Sequence, residues 1–138
     1  MFFLFLYLLI FHINHIELLN RYLNILISHN WAELRKIMWN YVGILRSDKM
    51  LKMASHRFKI ISDEVNEFYH TQRISSDLLE LRNIIDVSGI IIDSAINRKE
   101  SRGLHFNKDL PDTNHKYKKN TELINQRKDF IMRIVSKA

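Results

Sequence analysis

Residues with chemistry to offer are thinly spread along this 138-residue chain. Of its seven histidines, His12 and His15 stand three apart on one helical face, the spacing of a metal-ligand pair. Zinc takes at least three protein ligands, and no third ligand of the Asp, Glu or Cys type sits at an adjacent turn of that face. No metal site is therefore assigned, and His29, His56 and His70, far apart on separate helices, read as cap or surface residues. Ser94, Ser101 and His105 combine on paper into a hydrolase set. A hydrolase also needs a strained nucleophile turn and an oxyanion loop, and neither accompanies them, so no catalytic residue is assigned. Lys116, Tyr117, Lys118 and Lys119 interleave one aromatic with cations; a single ring is a poor base-stacking platform, and no nucleic-acid partner is expected.

Composition excludes further classes. Gly43, Gly89 and Gly103 are the only glycines, too scattered for a phosphate-cradling loop, which clusters glycines so that backbone can approach phosphate. No cofactor-binding residue follows, and no cofactor is expected to be bound by this chain alone. Cysteine is absent, which removes disulfides, thiolate nucleophiles and Cys–zinc sites. The net charge of +6 belongs to the tail: ten Lys and Arg balance ten Asp and Glu up to Asn97, whereas Arg98–Ala138 carries 11 against 5. Such a block is a solvated tail, or it meets anions on nucleic acid, lipid or an acidic protein.

The elements that must position these residues are helices. With Pro111 the only proline and three glycines, turn-dense β architectures are disfavoured and the fold class is all-α. Met1–Ile13 is almost unbroken apolar sequence. Thirteen helical residues rise about 20 Å, short of the roughly 30 Å hydrocarbon core, and no Lys or Arg precedes them as in a secretory leader. Extension to Ile27 takes His12, Asn14, His15, Glu17 and Arg21 into or near the bilayer, at about 2.5 kcal/mol or more for a central charge. Membrane contact through 1–27 is thus the less favoured reading.

From Trp31 to Arg46, Leu34, Ile37, Met38, Tyr41, Val42 and Leu45 recur at helical steps, with Asn30 and Glu33 at capping-box spacing. After Ser47 and Asp48, Leu51, Ala54, Phe58, Ile61, Val65 and Phe68 form a narrow stripe. Following a hinge over 71–76, Asp77 and Glu80 open a third helix that points Leu78, Leu81, Ile84, Ile85, Ile91, Ile92 and Ala95 inward. That helix is apolar on more than one stripe, which implies burial on more than one side, and Gly89 marks a close helix crossing. Gly103 is placed as its C-cap. Met38, Met50, Met53, Trp31 and Trp39 read as core filler. Beyond Gly103 the sequence loses its period, and Thr121–Val135 forms a last amphipathic helix. The expected architecture is an antiparallel three-helix bundle over 27–103, with an extra hydrophobic N-terminal helix over 1–26 and an extended basic tail over 104–138.

One segment carries a family signature. RKESRGLHFNKDLP, from Arg98 to Pro111, resembles the C-terminal segment of L-aspartate oxidase, and more loosely that of the succinate dehydrogenase and fumarate reductase flavoproteins, where the position of Leu104 is usually alanine. ISHNWAELRKIMWNYVGILRSDK and SSDLLELRNIIDVSGIIIDSAINRKES are similar to the same family's C-terminal helical domain, so the resemblance covers about Ile27–Asn120. Leu110, where the family often has an aromatic, is a small departure. The resemblance implies a parent reaction, FAD-dependent oxidation of L-aspartate to iminoaspartate in cytoplasmic de novo NAD synthesis, whose catalytic residues and FAD lie in domains preceding this region. It implies no catalytic residue here, a chain inactive alone, and Glu100, Ser101, Arg102, Gly103 and His105 packed against the FAD-binding domain as partner. In that interface Arg102 offers a fork for a carboxylate, Glu100 completes a charge network, Gly103 permits a turn and His105 donates or accepts. The residues before Leu26 resemble nothing in the family. The abrupt junction suggests a fragment left by a broken gene, a split enzyme with a separately encoded body, or a membrane-associating leader. The rival of another class is a small helical membrane-associated interaction protein.

Overall fold

The computed structural model describes residues 2–71 and 74–121, and for 2–16, 19 and 20 the backbone alone. Its elements in chain order are α1 (Phe2–Val42), β1 (Leu45–Arg46), α2 (Asp48–Thr71), α3 (Ser76–Asn97), β2 (Phe106–Asn107) and a single 3-10 turn over His115–Tyr117. The short connections fold the three helices back on one another as an antiparallel bundle. The fold is all-α, with two-residue strands as its one departure.

The core is the meeting of three stripes. α1 contributes Ile27, Leu34, Ile37 and Val42; α2 contributes Leu51, Ala54, Ile61 and Val65; α3 contributes Leu78, Leu81, Ile85, Ile92 and Ala95, all buried. Phe58 and Phe68 of the expected α2 stripe pack partly buried against this core, as do Trp31, Met38 and Ile84. Burying a branched aliphatic side chain contributes about 1.5 to 3 kcal/mol, so the bundle rests on this cluster. At the α2–α3 crossing, a Cβ on Gly89 would lie 2.9 Å from Cζ of Phe58. The expected close approach is there, and it is made by an aromatic edge over bare backbone.

Several boundaries differ from those expected. α1 runs through Asn30 without a break, because Asn30 stands three residues after Ile27 and four before Leu34 and so occupies a core position of one continuous stripe. Its side chain is buried, and its Nδ2 has no hydrogen-bond partner. The apolar N-terminal sequence is therefore the first part of α1. α1 ends at Val42, four residues before Arg46. α2 starts behind Ser47 as expected: Met50 N donates to Ser47 Oγ at 3.2 Å and Leu51 N to Ser47 O at 2.9 Å. The cap of α3 is Ser75, whose Oγ accepts from Leu78 N at 3.2 Å, not the Asp77–Glu80 pair. Ile91 faces solvent, along with Leu79, Val87 and Ile90, so the second stripe of α3 is uncovered among the described residues.

Trp39 and Met53 are exposed instead of filling the core. The hinge residues Gln72 and Arg73, the side chains of His12 and His15, and the expected helix after Thr121 lie outside the described residues. Among the described residues no helix is long and apolar enough to cross a membrane.

Candidate functional site

The polar residues converge at one end of the bundle, where the chain leaves α1 and where it leaves α3. Arg46 closes α1: its Nε donates to the Val42 carbonyl at 3.0 Å and the Gly43 carbonyl at 2.9 Å, satisfying carbonyls that the helix end leaves open. Its Nη1 reaches Nδ1 of His105 at 2.6 Å. Arginine only donates, so Nδ1 accepts, and the proton of a neutral ring sits on Nε2. Nε2 is itself buried and turned to the Arg98 backbone, whose hydrogen bond raises the His105 pKa against the two larger causes that lower it. Burial, and then the Arg46 charge, hold the His105 pKa below its ordinary 6.5, while burial lowers that of Arg46.

Gly103 has the left-handed φ of +59°, but it does not cap α3, which ends on Arg98. It is the first central residue of a tight turn in which Arg102 N donates to His105 O at 2.9 Å and His105 N to Arg102 O at 3.1 Å. That turn delivers Phe106 and Asn107 alongside β1 as a parallel pair, Leu45 opposite Phe106 and Arg46 opposite Asn107. Asn107 anchors the register: its Nδ2 donates to Asp48 Oδ1 at 2.9 Å, and Asp48 N donates to Asp109 Oδ2 at 2.8 Å. Lys99 Nζ reaches the other Asp48 oxygen at 3.2 Å. The Asn107 amide is the main cause of a lowered Asp48 pKa.

Two residues of the signature form the inner frame. Ser101 Oγ accepts from Asn107 N at 2.9 Å and donates to the Leu110 carbonyl at 2.7 Å, with the Asn107 carbonyl at 3.2 Å. Glu100, wholly buried, takes Arg102 Nε on Oε1 and Arg102 Nη2 on Oε2, both at 2.9 Å, Arg98 Nη1 on Oε1 at 2.9 Å, and the Asn114 N–H on Oε2 at 2.8 Å. Arg102's hydrogen bond is the largest cause that takes the Glu100 pKa from 4.5 down to about 2; burial opposes it. Glu100 in turn raises that of Arg102. Arg98 extends the network to the Lys119 carbonyl at 3.1 Å and Thr121 Oγ1 at 2.8 Å, tying the segment after Pro111 to the end of α3.

The structure thus brings Glu100, Ser101, Arg102, Gly103 and His105 together in one turn and gives most of their polar atoms partners within the chain. Sequence reasoning missed Arg46, Asp48 and Asn107. Arg46 had been counted as helix, and its role depends on strand pairing between positions that are remote in sequence. The Ser94–Ser101–His105 set is not assembled, since Ser94 Oγ donates to Ile90 O at 2.7 Å within α3. His29, His56 and His70 are exposed. Among the described residues no three His, Asp or Glu side chains converge as a metal site would require.

Because successive strand residues face opposite sides, the small sheet has two unlike faces. Toward the bundle it turns Arg46 and Asn107, with His105 beside them. Away from it stand Leu45 and Phe106, with Leu104 in the preceding turn, at exposures of 58%, 41% and 92% respectively; Ile44 and Trp39 are exposed as well.

The model of the family described as fumarate reductase flavoprotein C-term matches residues 31–134, about three quarters of the chain. The chain belongs to this family. Within it, the chain is similar to L-aspartate oxidase 1 of Ralstonia nicotianae, 53% identical over 89 residues, which are 64% of this chain and 17% of that protein. L-aspartate oxidase of Pseudomonas aeruginosa is 51% identical over 89 residues, 64% of this chain and 16% of that protein. That of Acinetobacter baylyi is 47% identical over 96 residues, 70% and 18%. The chain spans about a sixth of the length of these curated relatives. The resemblance read from ESRGLH to the C-terminal domain of L-aspartate oxidases therefore holds. The flavin of this flavoprotein family finds no glycine-lined cradle among the described residues. Gly43 follows α1, Gly89 lies under Phe58 and Gly103 sits in the turn, so no glycine-lined backbone cradle for a dinucleotide is assembled.

Proposed function

We propose that this chain is the C-terminal helical domain of an L-aspartate oxidase-like flavoprotein, whose role is to pack against that protein's flavin-binding body. The parent reaction is the FAD-dependent oxidation of L-aspartate to iminoaspartate, in the cytoplasm, as the first step of de novo NAD synthesis. The chain alone carries no catalytic group and turns over nothing. The observation that supports this reading best is the identity of about half to the oxidases over a segment that makes up only a sixth of their length. In the same segment the signature's carboxylate is consumed internally: Glu100 is neutralised by Arg98 and Arg102, which suits a structural frame and leaves no free base for substrate.

The test is complementation in trans. The full chain is co-expressed with the Ralstonia nicotianae oxidase from which the matched 89 residues have been removed. Soluble, flavin-containing body that co-purifies with the chain is expected, while the purified chain alone neither retains flavin nor oxidises L-aspartate. A chain that retains FAD and turns over aspartate unaided overturns the proposal, as does a body that the chain neither solubilises nor binds.

A further inference from the structure

We infer that the surface on which the flavoprotein body docks is the outer face of the two-stranded sheet: Leu45 and Phe106 at its centre, with Leu104 in the turn before Phe106. This rests on the reading above and adds to it which residues make the contact. The argument starts from an inversion. In a small sheet lying on a helical core, apolar side chains belong inside and polar ones outside. Here the alternation runs the other way: Arg46, His105 and Asn107 turn in, while Leu104, Phe106 and Leu45 turn out.

The inversion is locked. A slip of one residue would exchange the faces, but it would break Asn107 from Asp48 and Arg46 from His105 at once. A face held in place by these bonds, with Leu45, Leu104 and Phe106 exposed, is the signature of a surface that is covered in its working state. Preorganisation also lowers the ordering cost of association, since the tight turn at Gly103 already holds Leu104 outward at 92% exposure.

The occupant follows from where the match falls. In each similar oxidase the matched segment is 16–18% of the length, within a family described as C-terminal, so on the reading above the rest of the flavoprotein is the occupant of this face. The face is apolar at its centre, which calls for an apolar patch on the body. Among the described residues, Leu79, Val87, Ile90 and Ile91 on α3 and Leu18, Tyr22 and Ile25 on α1 are also exposed at helical spacing, with no such locked inversion, and the α3 stripe serves as the competing location.

The experiment is the same co-expression with variants of the full chain. Leu104→Asp and Leu45→Asp are expected to lower the co-purified body at least about tenfold, whereas Ile60→Asp on the outer side of α2 leaves it within about twofold. Because Leu104 is almost fully exposed, L104D should keep the wild-type circular dichroism and melting temperature, which separates lost docking from lost folding. Wild-type chain that fails to bind sinks the functional proposal. Wild-type binding that survives both L104D and L45D overturns the surface alone, and loss of binding in Ile90→Asp with retention in L104D moves the contact to α3.

Discussion

Arg102 closes on both oxygens of Glu100, Nε to Oε1 and Nη2 to Oε2 at 2.9 Å each, although only Ser101 separates the two in sequence. The charges that resemble an interface network on paper are spent on each other inside the turn. Glu100→Gln keeps the shape but leaves Arg98 and Arg102 facing a neutral amide. It is expected to lower the melting temperature clearly, whereas Glu33→Gln, which breaks a 3.9 Å pair with Arg57 on the surface, changes stability by no more than about 1 kcal/mol. Thermal denaturation of the two variants side by side checks this; equal effects would mean that the buried network carries nothing special.

The acid limb of stability should have two windows. Both Glu100 and His105 have folded pKa values below their ordinary ones, so between the two values the unfolded chain binds more protons and stability rises with pH. The His105 contribution is present above 6.5 and is lost as pH falls through its lower folded value. The Glu100 contribution is present above 4.5 and is lost on the way down to about 2. His105→Asn, which can keep an acceptor toward Arg46 without titrating, should flatten the upper window in urea titrations from pH 7 downward and leave the lower one in place. An unchanged upper slope would exclude His105 as its source.

At the helix crossing, Gly89→Ala gains about 1 kcal/mol of helix propensity but places a methyl carbon 2.9 Å from Phe58 Cζ. The expected outcome is net destabilisation in the wild-type background and relief when Phe58 is trimmed to Leu. A double-mutant cycle by urea unfolding should return a favourable coupling of about 0.5 to 3 kcal/mol. Additivity within error would mean that the ring simply swings aside.

Asn30 occupies a core position with an unpartnered amide nitrogen. Asn30→Leu replaces it with an apolar group of similar size and should raise stability by about 1 to 3 kcal/mol, read from the denaturation midpoint at unchanged m-value. A loss of stability would show that the amide is worth more to the fold than its lack of a partner implies.

What could be read from sequence divides along a physical line. The stripe of α2 and the Gly89 crossing are local periodicity, and they were legible because each residue's partner face repeats every three or four positions. The register of β1 on β2 was not, because two-residue strands have no period, and the hydrogen bonds that select them come from Asn107 and Ser101 across turns. Asn30 misled because its type favours caps, while its place in the Ile27–Leu34 spacing favours burial; burial won. Trp39 misled in the opposite sense, since a large apolar residue near the end of a helix reads as core, yet it stands off the Leu34–Ile37 face and is exposed. The ESRGLH turn was legible as a cluster because it is contiguous, whereas Arg46 and Asp48, which complete it, come from the other end of a long loop.

That loop has a consequence for how the protein acquires its surface. Leu45 and Phe106 pair across 61 residues, the same separation that Asp48 N spans to reach Asp109. Closing so long a loop for two residues of strand is unfavourable until α2 and α3 have already returned the chain to its starting point. On loop-closure grounds the sheet pairs after α2 and α3 have packed. Any partner that recognises this face thereby reads a completed bundle, so docking doubles as an inspection of folding.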